Sequence, residues 1–170
     1  MDDPFAILGL PRSADLGRAD VDRAYFAALE AAHPDKVAGG DEAVRRKAEL
    51  AAARINEAYR ALRTPVGRLE ALCRLGGIDL DSSDPKRGAP MPDTAFLTEM
   101  IERREAIEAA RRAGAGALED LRDAVEDEAD EAVAQARRAL AGGDVAAAAR
   151  ALVRRRYLAR LLDEIEEAMS

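Results

Sequence analysis

The chain has very few of the residues that build disulfides, metal sites and aromatic cores. Its 170 residues include one cysteine, one histidine and no tryptophan, and aromatic residues make up 4%. A single cysteine excludes an intramolecular disulfide, and with one histidine it cannot complete the usual four ligands of a structural zinc site. No apolar run approaches the roughly 20 residues of a membrane span, and the N-terminus lacks the basic and apolar segments of a signal peptide. We therefore expect a cytoplasmic protein without membrane association, metal or other cofactor.

The charge balance makes nucleic acid an unfavourable partner. The formal net charge is −7, and the acidity lies in the second part of the chain: residues 75–170 hold 14 Lys and Arg against 21 Asp and Glu, whereas residues 1–74 hold 12 of each. No basic stripe interleaved with aromatic residues is present, as a phosphate backbone would require. Ala, Leu, Arg and Glu dominate a 48% apolar composition, which is typical of helices. The sequence predicts an all-α fold.

Two amphipathic helices with a short loop between them are predicted in the first part of the chain, after a short apolar segment from Phe5 to Leu10. The first helix spans residues 21–32, with Asp20 as its expected N-cap, and it must end at His33 because a residue before proline is disfavoured in the α region. The second runs from Val44 to Leu62 and ends at Thr64-Pro65. Helices joined by a loop of about eight residues pack most simply as an antiparallel hairpin. The sequence His-Pro-Asp then lies at its tip.

Residues 76–92, "GGIDLDSSDPKRGAPMP", lack helical periodicity and are predicted to link this hairpin to a second helical unit. Three further helices follow. The first runs from Asp93 to Ala113, the second ends at Gly142-Gly143, and the third begins with Asp144 as its N-cap. Short glycine-bearing breaks between helices are typical of an antiparallel bundle.

The sole histidine lacks the neighbouring side chains that a catalytic site or a metal-binding site would need. His33 as a general base oriented by Asp35 would need a nucleophile or a pocket, and its neighbours are Ala, Val and Gly. One His and one Asp supply too few ligands for a metal. A solvated loop histidine, with an aspartate that bonds the local turn, is an equally simple interpretation of the tripeptide alone.

The context favours a different role. A short apolar helix, an amphipathic helix, "HPD" in a glycine-bearing loop and a helix ending "INEAYRALRTP" resemble, in order and spacing, the J-domain of DnaJ-type co-chaperones. The resemblance implies that the turn docks on a 70-kDa heat-shock chaperone of the DnaK type and triggers its ATPase, so that the chain itself is no enzyme. It assigns the chaperone contact to five residues: His33, Pro34, Asp35, Lys36 and Arg23.

The rest of the chain resembles one particular family of J-proteins. The segments "PVGRLEALCRLGGIDL", "DTAFLTEMIERREAIEAA" and "LVRRRYLARLLDEIEE" are similar to the HscB family, the J-proteins of iron-sulfur cluster assembly. This implies a J-domain in residues 1–75, a linker in residues 76–92, and a three-helix bundle in residues 93–170 on which the J-domain hairpin packs. The implied partners are an HscA-type chaperone and an IscU-type scaffold protein.

Helical geometry divides the helix of residues 93–113 into two faces. Phe96, Met100 and Ile107 can face the bundle core, whereas Leu97 and Ile101 lie about 100° further round the helix. The family's scaffold-binding face maps onto this second set and one residue of the last helix: Leu97, Thr98, Ile101, Glu102, Glu105 and Tyr157.

Three alternatives stay open at this point. Leu97 and Ile101 are core residues if the apolar spacing has only a packing role. The chain is a J-protein for a different client if the bundle binds no scaffold, and it is a purely structural helical protein if the HPD loop has no partner.

Overall fold

The computed structural model describes residues 2–32 and 42–170, and every regular element within these ranges is a helix, which confirms the all-α prediction. Among the described residues, no helix combines the length and the apolarity needed to cross a bilayer. The helices, in chain order, are α1 (Pro4–Ile7), α2 (Arg18–Ala31), α3 (Glu42–Leu62), α4 (Pro65–Leu75), α5 (Thr94–Ala113), α6 (Ala115–Ala141) and α7 (Val145–Met169).

Aspartate side chains start several of these helices. Asp93 accepts a hydrogen bond from the Phe96 N–H at 2.8 Å, and Asp144 accepts one from the Ala147 N–H at 2.8 Å, so each satisfies one of the free N–H groups of a first turn. The expected N-cap of α2 was wrong. Gly17 is the N-cap, and Asp20 lies inside the first turn, where its carboxylate accepts the Gly17 N–H at 3.1 Å.

Helix α4 was missed by the sequence prediction, which treated Thr64-Pro65 only as the end of α3. Pro65 is the first residue of α4, a position where proline is favoured because no N–H is needed there. The turn from α3 into α4 is tight: a Cβ on Gly67 would lie 2.3 Å from the Ala61 carbonyl oxygen. The first turn of α4 therefore lies so close to the end of α3 that only glycine fits at residue 67.

The chain divides into two compact units, one ending at Leu75 and the other beginning at Gly76. In the first unit, α1, α2 and α4 pack around α3, and Cys73 of α4 is completely buried. Burial raises the pKa of the Cys73 thiol to about 11, because the charged thiolate loses its hydration. The main core cluster of this unit contains Phe5, Leu8, Val21, Ile55, Ala58, Leu62 and Ala71.

In the second unit α5, α6 and α7 form a three-helix bundle. Gly114 alone separates α5 from α6, which run antiparallel, and residues 142–144 connect α6 to α7. Gly143 in this connection has φ 79°. Residues 76–92 also belong to this unit: Leu80 is buried, and its carbonyl oxygen accepts a hydrogen bond from Arg156 of α7 at 3.1 Å. The core is formed by Met100, Ile107, Leu118, Val125, Ala129, Leu158, Leu161 and Ile165.

Candidate functional site

Polar and aromatic contacts hold α2 against α3 in the first unit. The Tyr25 hydroxyl donates to Asn56 Oδ1 at 2.8 Å, and the Tyr59 hydroxyl donates to Asp22 Oδ1 at 2.9 Å. The rings of Tyr25 and Tyr59 stack with their centroids 4.2 Å apart. These contacts fix the register of the two helices, so the segment of residues 33–41 connects a hairpin whose arms are held together by specific hydrogen bonds.

The chaperone-binding prediction falls largely on that segment. His33, Pro34, Asp35 and Lys36 lie outside the described residues, and their assignment stays a prediction. Arg23 is described: its side chain is 75% exposed on α2 and forms an ion pair with Asp20. Arg23 is therefore at the surface, with its charge partly compensated by its own helix.

The two faces of α5 are separated as the helical spacing predicts. Met100 and Ile107 are 2% and 6% exposed in the bundle core, and Phe96 packs against the same core. On the other side, Leu97 is 39% exposed and Ile101 is 58% exposed. The alternative in which Leu97 and Ile101 are core residues is thus wrong. The surrounding predicted residues Thr98, Glu102 and Glu105 are also exposed.

Tyr157 is partly buried and reaches the N-terminal half of α5. Its ring meets the Phe96 ring edge to face, with centroids 5.3 Å apart. Arg104 of α5 pairs with Glu164 of α7 at 3.1 Å, so later residues of α5 meet later residues of α7 and the two helices run parallel. Because Tyr157 and Glu164 are seven residues apart, they lie on nearly the same side of α7. Tyr157 is therefore at the α5–α7 seam rather than remote from the exposed face of α5.

An open cleft of about 490 Å³ continues from Ile101 toward the C-terminal end of α5. Its walls are partly charged, and Arg104 is already bound to Glu164. The lining residues are Ile101, Arg104, Glu105, Glu108 and Arg112. An apolar side chain bordered by charged groups in a concave surface can hold part of a protein partner.

A four-residue ion-pair network, which sequence reasoning missed, joins all three helices of the bundle. Arg103 Nη2 lies 2.8 Å from Glu99 Oε1 and 2.8 Å from Glu128 Oε1, and Arg154 Nη2 lies 2.9 Å from Glu99 Oε1 and 3.2 Å from Glu128 Oε2. The Arg154 and Arg103 guanidinium groups hold the pKa of Glu99 below its ordinary value. Only the Glu99–Arg103 pair, four residues apart on one helix, could have been found from spacing.

Within residues 2–32 and 42–170, no cluster of three or more His, Cys, Asp or Glu side chains is placed to hold a metal ion. The exposed face of α5 carries the apolar side chains of Leu97 and Ile101 with the carboxylates of Glu102 and Glu105 beside them.

Comparison with protein families identifies the bundle. A family model described as the HSCB C-terminal oligomerisation domain matches residues 92–166. A co-chaperone protein HscB homolog from Cupriavidus taiwanensis is 34% identical over 169 residues, which are 99% of this chain and 94% of that relative. The homolog from Chromobacterium violaceum is 39% identical over 119 residues, or 70% of this chain; the match spans 65% of that relative's length.

Solved structures extend the likeness to the whole fold. The chaperone HscB from Vibrio cholerae has a TM-score of 0.78 and 31% identity, with 98% of this chain and 96% of that chain covered. The human co-chaperone protein HscB has a TM-score of 0.77 with 98% of this chain and 82% of that chain covered; at 23% identity it supports the fold alone.

Proposed function

Because this chain belongs to the HscB family of co-chaperones, we propose that it stimulates the ATPase of an HscA/DnaK-type 70-kDa heat-shock chaperone and delivers an IscU-type scaffold protein to it. The setting is iron-sulfur cluster biogenesis in the cytoplasm. ATP is bound and hydrolysed by the chaperone, so this chain contributes contacts and no catalytic group.

The exposure of Leu97 and Ile101 carries the scaffold half of the proposal. These residues lie on α5 outside the core, although the same helix already buries Met100 and Ile107 inside it. Apolar side chains exposed beside carboxylates are a common composition for a protein interface. The scaffold would cover Leu97, Thr98, Ile101, Glu102 and Glu105 and reach Tyr157 at the α5–α7 seam.

The chaperone half rests on the family and on the His-Pro-Asp sequence. We propose that His33, Pro34 and Asp35 contact the chaperone, with Lys36 and Arg23 as charged neighbours. One chain that holds both partners raises their effective concentration toward each other without any new contact between them. The turn then shifts the conformational equilibrium of the chaperone toward its hydrolysing state.

Single-turnover ATP hydrolysis by the cognate HscA-type chaperone, with and without the IscU-type scaffold, tests both halves. His33→Gln should abolish stimulation in both conditions. Leu97→Ala and Ile101→Ala should retain stimulation without scaffold and lose most of the additional rate that the scaffold provides.

The expected size of the second effect follows from exposure. Full burial of an isoleucine side chain contributes about 1.5–3 kcal/mol, and the 58% of Ile101 that is exposed leaves roughly 1–2 kcal/mol for the scaffold to gain. Ile101→Ala should therefore weaken scaffold binding about tenfold. Leu140→Ala is the matched control, because Leu140 is a partly buried leucine near the C-terminal end of α6.

The chaperone half and the scaffold half of the proposal can be contradicted separately. Equal stimulation by wild type and His33→Gln would contradict the chaperone half. If calorimetric titration detects no binding of the scaffold to the wild-type chain, the bundle delivers a different client, which is the second candidate function.

A further inference from the structure

A second concave surface lies near the start of α5, between this helix, the segment before it and α7. It has a volume of about 380 Å³ and is lined by residues 90–92, by Phe96 of α5, and by Arg150, Val153 and Arg154 of α7. The three residues of α7 are three and four positions apart, so they lie on one side of that helix. This surface is called the α7 pocket below.

The α7 pocket has an exposed apolar wall that is already held in place. Met91 is 87% exposed, more than any other large apolar side chain in the described residues. Pro90 and Pro92 on either side of it have φ fixed near −65° by their rings, so little backbone freedom is lost when a partner covers the segment. A partner that buries Met91 gains nearly the whole apolar area of its side chain.

The two arginines of the pocket differ in how their charges are compensated. Arg154 lies over the Phe96 ring, 5.2 Å from its centroid, and belongs to the four-residue ion-pair network of the bundle. Arg150 is exposed and forms no ion pair with a carboxylate in the part of the chain that the structure describes. Asp93 also lines the pocket, but its carboxylate accepts the Phe96 N–H and is directed at the first turn of α5. The pocket therefore combines apolar walls with one cation that lacks a partner.

We propose that the α7 pocket binds a segment of the scaffold protein in which an apolar residue stands next to Asp or Glu. The apolar side chain packs against Met91 and Phe96, and the carboxylate pairs with Arg150. The inference rests on the proposed function and adds a second contact region outside the exposed face of α5.

Continuity with the proposed scaffold face favours the scaffold as the occupant. Phe96, a wall of the pocket, immediately precedes Leu97, and its ring contacts Tyr157 edge to face. A scaffold that covers Leu97 and Tyr157 therefore has neighbouring segments within reach of the pocket.

The charge of the bundle favours an acidic segment at this position. Residues 75–170 hold 21 Asp and Glu against 14 Lys and Arg, so the bundle as a whole repels a carboxylate. Arg150 provides a local attraction that the net charge does not, and complementary charges of this kind fix the register of a bound partner.

The test measures binding of the purified IscU-type scaffold to the full-length chain by calorimetry, at low and at raised salt. Arg150→Glu reverses the charge in the pocket, and Met91→Ala removes the exposed apolar side chain. Arg155→Glu is the matched control: it changes the net charge of the same helix equally, at a position about 140° away from Arg150. Thermal unfolding of each variant is measured alongside.

Arg150→Glu should weaken scaffold binding about tenfold at low salt, because an attraction is replaced by a repulsion. The loss should shrink as salt is raised, since the pair is near the surface. Met91→Ala should weaken binding about fivefold at both salt concentrations, whereas Arg155→Glu should stay within about twofold of wild type. The thermal midpoints of Arg150→Glu and Met91→Ala should equal that of wild type, because both side chains are exposed in the free chain.

Photo-crosslinking identifies the bound segment. Benzoylphenylalanine in place of Met91, irradiated in the presence of the purified scaffold, should capture a scaffold segment with Asp or Glu next to an apolar residue. Replacing that acidic residue by its amide should weaken binding to wild type and should have little further effect on Arg150→Glu, because the two substitutions remove the same pair.

Equal binding by Arg150→Glu and Arg155→Glu, or wild-type binding by Met91→Ala, would overturn the inference; the proposed function is left intact if Ile101→Ala still weakens scaffold binding. A lowered thermal midpoint for Arg150→Glu would show a structural role and overturn it as well. A crosslink from position 91 to a second copy of this chain instead of the scaffold would make the pocket a self-association contact and reject the scaffold as its occupant. If the wild-type chain binds no scaffold, the scaffold half of the proposed function and this inference both fail.

Discussion

Replacing Glu99 with Gln tests how α5 is held in the bundle. Glu99 accepts from Arg103 at 2.8 Å and from Arg154 at 2.9 Å, and its side chain is 34% exposed. Ion pairs of this exposure contribute about 0.5–1 kcal/mol each after solvent screening. Glu99→Gln keeps the size of the side chain and should lower the free energy of unfolding by about 1–2 kcal/mol. Both arginines then share Glu128 alone.

The pH dependence identifies the charge as the cause. The pKa of Glu99 is lowered in the folded protein, so its contribution is complete above the unfolded pKa of about 4.3 and is lost as the pH falls through the folded pKa. The difference in stability between wild type and Glu99→Gln should be constant near neutral pH. It should disappear in acid, once Glu99 is protonated in both states of the wild-type protein.

Urea unfolding followed by circular dichroism gives the stability difference, and hydrogen exchange locates it. Amides of α5 should exchange faster in Glu99→Gln, because this helix has only two buried residues, Met100 and Ile107. Glu131→Gln is the control: it breaks a pair with Arg138 whose partners are 55% and 64% exposed, so its effect should be smaller. A difference that persists in acid would refute the electrostatic explanation and indicate lost packing.

Two further predictions concern local structure. Tyr25→Phe removes the 2.8 Å hydrogen bond to Asn56. The free energy of unfolding, measured in urea, should fall by about 0.5–1.5 kcal/mol. An unchanged urea midpoint would mean that this bond does not hold α2 on α3. Gly143→Ala should lower the free energy of unfolding by about 1 kcal/mol or more, because φ at Gly143 is 79°. Gly142→Ala should be neutral or stabilising, because φ at Gly142 is −82°. Equal thermal midpoints for the two variants would contradict the assigned turn.

Local signals determined most of the helices. Asp144 was predicted as an N-cap and is one, because a short acidic side chain before an apolar run has a simple local role. The same rule failed at Asp20, where the carboxylate bonds backward to Gly17 from inside the helix. Helix α4 was missed because Pro65 marks the end of one helix and the start of the next with the same residue.

Some features of the candidate site could also be predicted from the sequence, and others could not. The separation of Ile101 from Met100 follows from an angle of 100° per residue and needs only the sequence. The pairing of Glu99 with Arg154 joins residues 55 positions apart, and nothing in local spacing selects Arg154 from the neighbouring arginines. Long-range polar contacts depend on how helices pack, so they emerge only with the fold.

The buried thiol of Cys73 determines how the protein can be labelled with thiol reagents. With a pKa of about 11, only about one Cys73 in a thousand would be a thiolate at pH 8, and thiol reagents attack the thiolate. A cysteine introduced at the exposed position Ile101 would therefore take a fluorophore selectively in the folded protein. The Cys73 thiol would react only when the first unit opens, so its rate of reaction would measure how often that unit unfolds.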